Sequence, residues 1–376
     1  MSESDEEIVA ARLVAAPPAG PPLDPPPDLS VAPQPDAPVE ARLEAPVEAP
    51  LALPVRSPYA FSEAPPLDRP LGGVGGEQYA ADPRAASPPS FQETIQRSPW
   101  LTVLVVAVVM GTATMLYLMT SVVSMLLAMW SVGEFSAESA ADPEAMNRVM
   151  QDRVGIFLAV LPPQISLILV PLAAAFLLPE GPRRGLRLVR GRWPVWVWIA
   201  AAAGTPLIGL LSSILVSGFA TESESLQMFT ETFRAHGRSG FLLPIALLIG
   251  VAPAVCEELL FRGYLQPRLT RLIPPSIGVF LASALFAAFH LDPVHVIAVF
   301  PLGLWLGFLS YRSGSLFPAM IGHFVNNVLS VVSVMAEETG ALDVPDAAIS
   351  IPILVGGGLG LLGVMYATLR WRVERV

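Results

Sequence analysis

The sequence predicts an all-α, polytopic membrane protein: a bundle of about eight transmembrane helices preceded by a disordered, proline-rich tail. Three observations carry that expectation. The 376 residues are 53% hydrophobic and only 14% charged, more apolar and less charged than an average soluble domain. From Trp100 onward, apolar runs recur at the length of about 20 helical residues that crosses a hydrocarbon core. Arginines and acids also alternate between successive loops, as they do in a chain that crosses a membrane repeatedly.

The tail comes first. Residues 1–96 carry 20 of the 39 prolines, including Pro25-Pro26-Pro27, and repeat Ala-Pro-Val-Glu-Ala at 37 and 45. Proline removes backbone donors and favours polyproline II, and the dispersed acids oppose collapse, so no core is expected there. Met1–Glu7 is acidic and prolines soon follow, unlike the basic and then apolar start of a secretory signal. The segment reads as a solvated, acidic cytoplasmic linker.

Residues 97–376 form the membrane domain. Its spans are expected near 100–130, 154–178, 194–219, 241–266, 275–291, 294–311, 315–336 and 350–370. Pro162-Pro163, Pro253 and Pro301 fall within them and are tolerated where neighbouring helices satisfy the freed carbonyls. The fifth and sixth spans are short and parted only by Leu291-Asp292-Pro293, a pattern shared by re-entrant segments. Basic loops hold Arg183, Arg184, Arg187, Arg190 and Arg192, then Arg262, Arg268 and Arg271, then Arg370, Arg372 and Arg375. Acidic loops hold Glu134, Glu138, Asp142 and Glu144, then Glu222 and Glu224, then Glu337, Glu338 and Asp343. That alternation puts both termini in the cytoplasm. Residues 222–236 read as an amphipathic helix on the outer surface. The formal charge of −10 argues against nucleic acid as a partner, and the single Cys256 has no cysteine to pair with.

A charge within a span costs roughly 2.5 to 3.5 kcal/mol, so residues that bear it usually face a cavity and mark function. Here they cluster. Span four brings Glu257, Glu258 and Arg262 after a long apolar run. Glu258 and Arg262 share a helix face, whereas Glu257 is turned about 100° away and left to face a cavity. Taken alone, the triplet reads equally as the solvated cytoplasmic end of the helix. Two of the four histidines change the balance: His290 ends Phe286-Ala-Ala-Phe-His290, and His323 opens His323-Phe-Val-Asn-Asn327. His236 and His295 read as loop or span-edge residues. Asn327 lies one turn beyond His323 on the same face, while Asn326 points elsewhere. Costly polar groups on three spans are explained together by one wet site.

At these residues the chain resembles the intramembrane protease family that includes the CAAX-prenyl endopeptidases and the bacterial Abi or bacteriocin-processing proteins, abbreviated CPBP. Glu-Glu-x-x-x-Arg matches Glu257, Glu258 and Arg262; Phe-x-x-x-His matches Phe286 and His290; His-x-x-x-Asn matches His323 and Asn327. The resemblance covers about 240–330 and excludes the tail. It implies that Glu257, helped by His290, activates a water, that His323 and Asn327 stabilise the oxyanion, and that Glu258 with Arg262 holds the helix.

Two chemistries stay open on these residues. Two histidines and a glutamate are the ligand set of many zinc hydrolases, so a metal-dependent site would use Glu257, His290 and His323. Yet no His-Glu-x-x-His helix is present and asparagine is an uncommon zinc ligand, which favours a metal-free mechanism. Rival functions are a non-catalytic membrane scaffold or immunity-type protein of the same fold, and a transporter. The transporter needs repeated halves, and spans one to four show no symmetry with five to eight. A signal-free, all-arginine sequence suits a bacterial inner membrane, where prenylated substrates would be unexpected. The expected substrate is a peptide or membrane protein, and lipid surrounds the chain.

Overall fold

The computed structural model describes residues 98–177, 181–339 and 346–371, so the tail expected at 1–96 lies outside the described residues. Every regular element among them is helical. Pro99–Val132 (α1) begins with proline in its first turn, where the missing N–H has no intrahelical acceptor, and ends at Gly133 with a left-handed φ of 83°. Ala137–Ala141 (α2) and Pro143–Gln151 (α3) lead into Arg153–Phe176 (α4). The Asp142 and Asp152 carboxylates accept first-turn N–H groups of α3 and α4 and so fix where each helix starts. Gly181–Gly185 (α5), Val195–Ser217 (α6) and Glu224–Arg238 (α7) come next. The amphipathic segment expected at 222–236 is α7. Its His236 is no loop residue: the ring is buried and its Nε2 lies 2.9 Å from the Met150 carbonyl.

Leu242–Glu258 (α8) passes without a break through a π-helical stretch, Leu259–Leu265, into Gln266–Leu272 (α9). The fourth span is therefore a 31-residue rod, Leu242–Leu272, with Glu257 and Glu258 at its middle. This removes the reading in which the two acids are the solvated end of a helix. In the π stretch the hydrogen bonds reach one residue further back, as when the Gln266 N–H bonds the Phe261 carbonyl.

Pro275–Ala288 (α10), Pro293–Ser313 (α11), Phe317–Thr339 (α12) and Asp346–Arg370 (α13) complete the described chain. Seven helices are long and apolar enough to cross a membrane: α1, α4, α6, the Leu242–Leu272 rod, α11, α12 and α13. The expected fifth span is shorter than foreseen. At 14 residues, α10 reaches only about 21 Å of a hydrocarbon core about 30 Å thick. Pro274 and Pro275 fix its start, and the chain turns at Leu291, whose φ is 63°. Helix α1 packs on α4, α12 lies against α6 and α8, α11 against α6, α10 and α12, and α13 against α6. Apolar side chains such as Val108, Met119, Ile214 and Leu359 are exposed, which suits hydrocarbon as the surrounding solvent. The protein is an integral membrane protein.

Candidate active site

The site grows from the middle of the Leu242–Leu272 rod. Glu258 and Arg262 are fully buried, and Arg262 Nη1 donates to Glu258 Oε1 over 2.8 Å, the pair that i,i+4 spacing predicts. The same oxygen lies 3.1 Å from His323 Nδ1, which joins α12 to the rod. An ionised carboxylate only accepts, so opposite it Nδ1 is the donor. Arg262 Nη2 donates to the Gly303 carbonyl at 3.0 Å, and its guanidinium lies 4.0 Å from the centre of the Phe286 ring. One turn on, Gln266 Nε2 donates to the Gly307 carbonyl at 2.9 Å. These contacts need bare backbone on α11. A Cβ on Gly303 would stand 3.0 Å from the Phe286 ring, and one on Gly307 would stand 2.9 Å from Gln266 Oε1.

Phe286 is the hub of the imidazoles. The His323 and His290 rings both meet it edge-on, at centroid distances of 6.0 and 5.2 Å. His290 is half-buried, with Nδ1 3.1 Å from the Phe286 carbonyl. Its ring also lies 4.6 Å from that of His295. His295, in the first turn of α11, is the span-edge residue expected, and that edge lies beside the site. The loop between these histidines is tied down by Asp292, which caps α11. The His295 backbone N–H and the Ser225 and Ser223 hydroxyls hold its carboxyl down to about 2.

Among the described residues, neither His290 nor His323 hydrogen-bonds to Glu257; its Oε1 accepts from Gln164 Nε2 of α4 at 3.1 Å, and its Oε2 is buried without a partner. Asn327 is on the His323 face, but its Nδ2 donates to the Ile249 carbonyl at 3.2 Å. That carbonyl has no intrahelical donor because the residue four further on is Pro253. Asn326, expected to point elsewhere, donates to Asn327 Oδ1 at 3.3 Å.

Residues 239–329 match the family model described as Type II CAAX prenyl endopeptidase Rce1-like. That segment is similar to the Rce1-like family. No curated protein and no solved structure matches the chain. The family resemblance read from the three motifs is borne out, since the Rce1-like segment runs from the turn before α8 into α12 and includes all seven motif residues. It excludes α1, α4 and α6.

Within the Rce1-like segment, the candidate metal ligands Glu257, His290 and His323 do not form a group. Among the described residues, no three His, Cys, Asp or Glu side chains are placed to hold a metal ion. The arrangement does not fit a shared metal. Sequence reasoning missed Gln164, Gln266, Gly303 and Gly307. Gln164 carried a usable signal, a long polar side chain inside the apolar run of α4, but it matches no family motif.

Proposed function

We propose that the protein is an intramembrane endopeptidase in which Glu257 is the base for a water that attacks a peptide carbonyl. The observation that carries this reading is a mid-span carboxylate, only 7% exposed, with one oxygen engaged by Gln164 and the other without a partner. A carboxylate kept there at such cost suits a base that works only once water and substrate enter. His290, half-buried and with no bond at Nε2 among the described residues, moves a proton between base and leaving group. Water and the scissile bond enter between it and Glu257.

Glu258 and Arg262 hold the rod against α11 and α12. Oxyanion stabilisation falls to His323 and to the second amide hydrogen of Asn327. Because His323 Nδ1–H is engaged by Glu258, Nε2 donates to an oxyanion only in the doubly protonated ring. The mechanism uses no metal: activity should survive exhaustive chelation, and a loss restored by stoichiometric zinc would refute this. The substrate is a peptide segment of a membrane protein. The alternation of arginine-rich and acidic loops supports an orientation in a bacterial inner membrane with both termini on the cytoplasmic side.

Comparative proteomics of membranes expressing wild type or Glu257→Ala at equal level tests the reading. A fragment present only with wild type is expected. Identical fragment sets would leave the scaffold reading in its place.

A further inference from the structure

We propose that Gln164 positions both Glu257 and the water it activates; the inference rests on the endopeptidase reading above. Gln164 lies on α4, outside the Rce1-like segment and its motifs. Its side chain reaches across to the rod, where Nε2 donates to Glu257 Oε1 at 3.1 Å. The two residues are only 8% and 7% exposed. The Gln164 amide oxygen, Oε1, and the second carboxylate oxygen of Glu257, Oε2, are both buried and have no hydrogen-bond partner.

Buried acceptors are rarely left without donors, and here two belong to side chains already bonded to each other. One water supplies both donors from a single atom, and it makes no demand on any further protein group. The geometry assigns the division of labour. The amide N–H holds Oε1 of the carboxylate, which leaves Oε2 to take the proton, while the amide oxygen holds the second O–H and fixes where the water lone pair points. As the water oxygen forms its bond to the scissile carbon, one proton passes to Glu257 Oε2. The other stays on the incoming oxygen, hydrogen-bonded to Gln164, which takes no proton. When the C–N bond breaks, the proton held by Glu257 passes by way of His290 to the leaving nitrogen. Water and peptide thus yield a carboxylic acid and an amine.

The test uses the full-length protein in three parts. First, the Glu257-dependent fragment identifies the substrate polypeptide, and its cleavage is measured with purified wild type, Gln164→Leu and Gln164→Glu. Leucine removes both functions of the amide; glutamate keeps the shape and the accepting oxygens but, when ionised, loses the donor. Both should lower kcat roughly 10- to 100-fold, the effect of losing a hydrogen bond to a charged group, with KM within about twofold of wild type. Second, thermal unfolding in detergent should show each variant folded, and one that fails is replaced by the other. Third, a structure that resolves ordered solvent should show a water within about 3.2 Å of both oxygens, lost in Gln164→Leu. Wild-type kcat in either folded variant overturns the proposal, as does a change confined to KM. So does a direct contact of the two oxygens with no water between them. If cleavage persists in Glu257→Ala, the endopeptidase reading itself has failed; if only the Gln164 variants cleave normally, the reading stands and this inference falls.

Discussion

Arg262→Met removes a cation that has no exposure and three separate engagements: Glu258 Oε1 at 2.8 Å, the Gly303 carbonyl at 3.0 Å and the Phe286 ring at 4.0 Å. Among the described residues, Glu258 is then left with His323 as its only partner, and its Oε2 already has none. Breaking a fully buried pair by deleting one member costs about 3–5 kcal/mol, because the remaining charge is stranded in low dielectric. At about 2–4 °C per kcal/mol for a chain of this size, the melting temperature should fall by roughly 10 °C. The stranded charge, not the lost contact, is the larger part of that penalty. Adding Glu258→Gln to Arg262→Met should therefore recover at least half the loss. Full recovery is not expected, since Gly303 and Phe286 still lack their cation. Unfolding of the three proteins in detergent micelles, followed by tryptophan fluorescence, measures this. A single variant within about 2 °C of wild type, or a double variant that melts below the single, would refute the reasoning.

Asn327→Leu strands the Ile249 carbonyl and should cost about 1–3 kcal/mol in the same assay. Pro253→Ala in that background restores an intrahelical N–H to the same carbonyl and should return most of the loss; no return would mean that Asn327 acts elsewhere. Asp292 gives a pH prediction. Its carboxyl is lowered from 3.8 to about 2 in the fold, so its contribution is fully present above about pH 4 and is lost as pH falls through about 2. The stability gap between wild type and Asp292→Ala should close over that window, and a gap unchanged from pH 6 to pH 2 would contradict it.

The parts of the site that local spacing governs were legible. Glu258 and Arg262 pair as i,i+4 neighbours, and His323 and Asn327 share a face for the same reason. The α-helical membrane architecture was readable from run length alone. What could not be read depends on backbone atoms or on partners far along the chain. Asn327 answers a carbonyl freed by a proline 74 positions earlier, and Gln164 meets Glu257 across 93 residues. A carbonyl has no letter in the sequence, so the anchors at Gly303 and Gly307 showed only as two glycines. The short α10 was misjudged because its apolar run continues through Phe289 to Leu291, whereas the helix stops at Ala288.

The π-helical stretch lets the aim of the site outlast a change of chain length. Through Leu259–Leu265 the rod carries slack that an α-helix of the same span would lack. Removing one residue just after Arg262 would let the stretch relax to α geometry, spare every motif residue and leave the α8 and α9 halves facing as they do. With Gln266 still clamped to α11, both carboxylates would keep their partners on α4 and α12. The same deletion within an α-helical part of the rod would turn one half by about 100° against the other. The spare length is stored where the shaft can lose it and still point true.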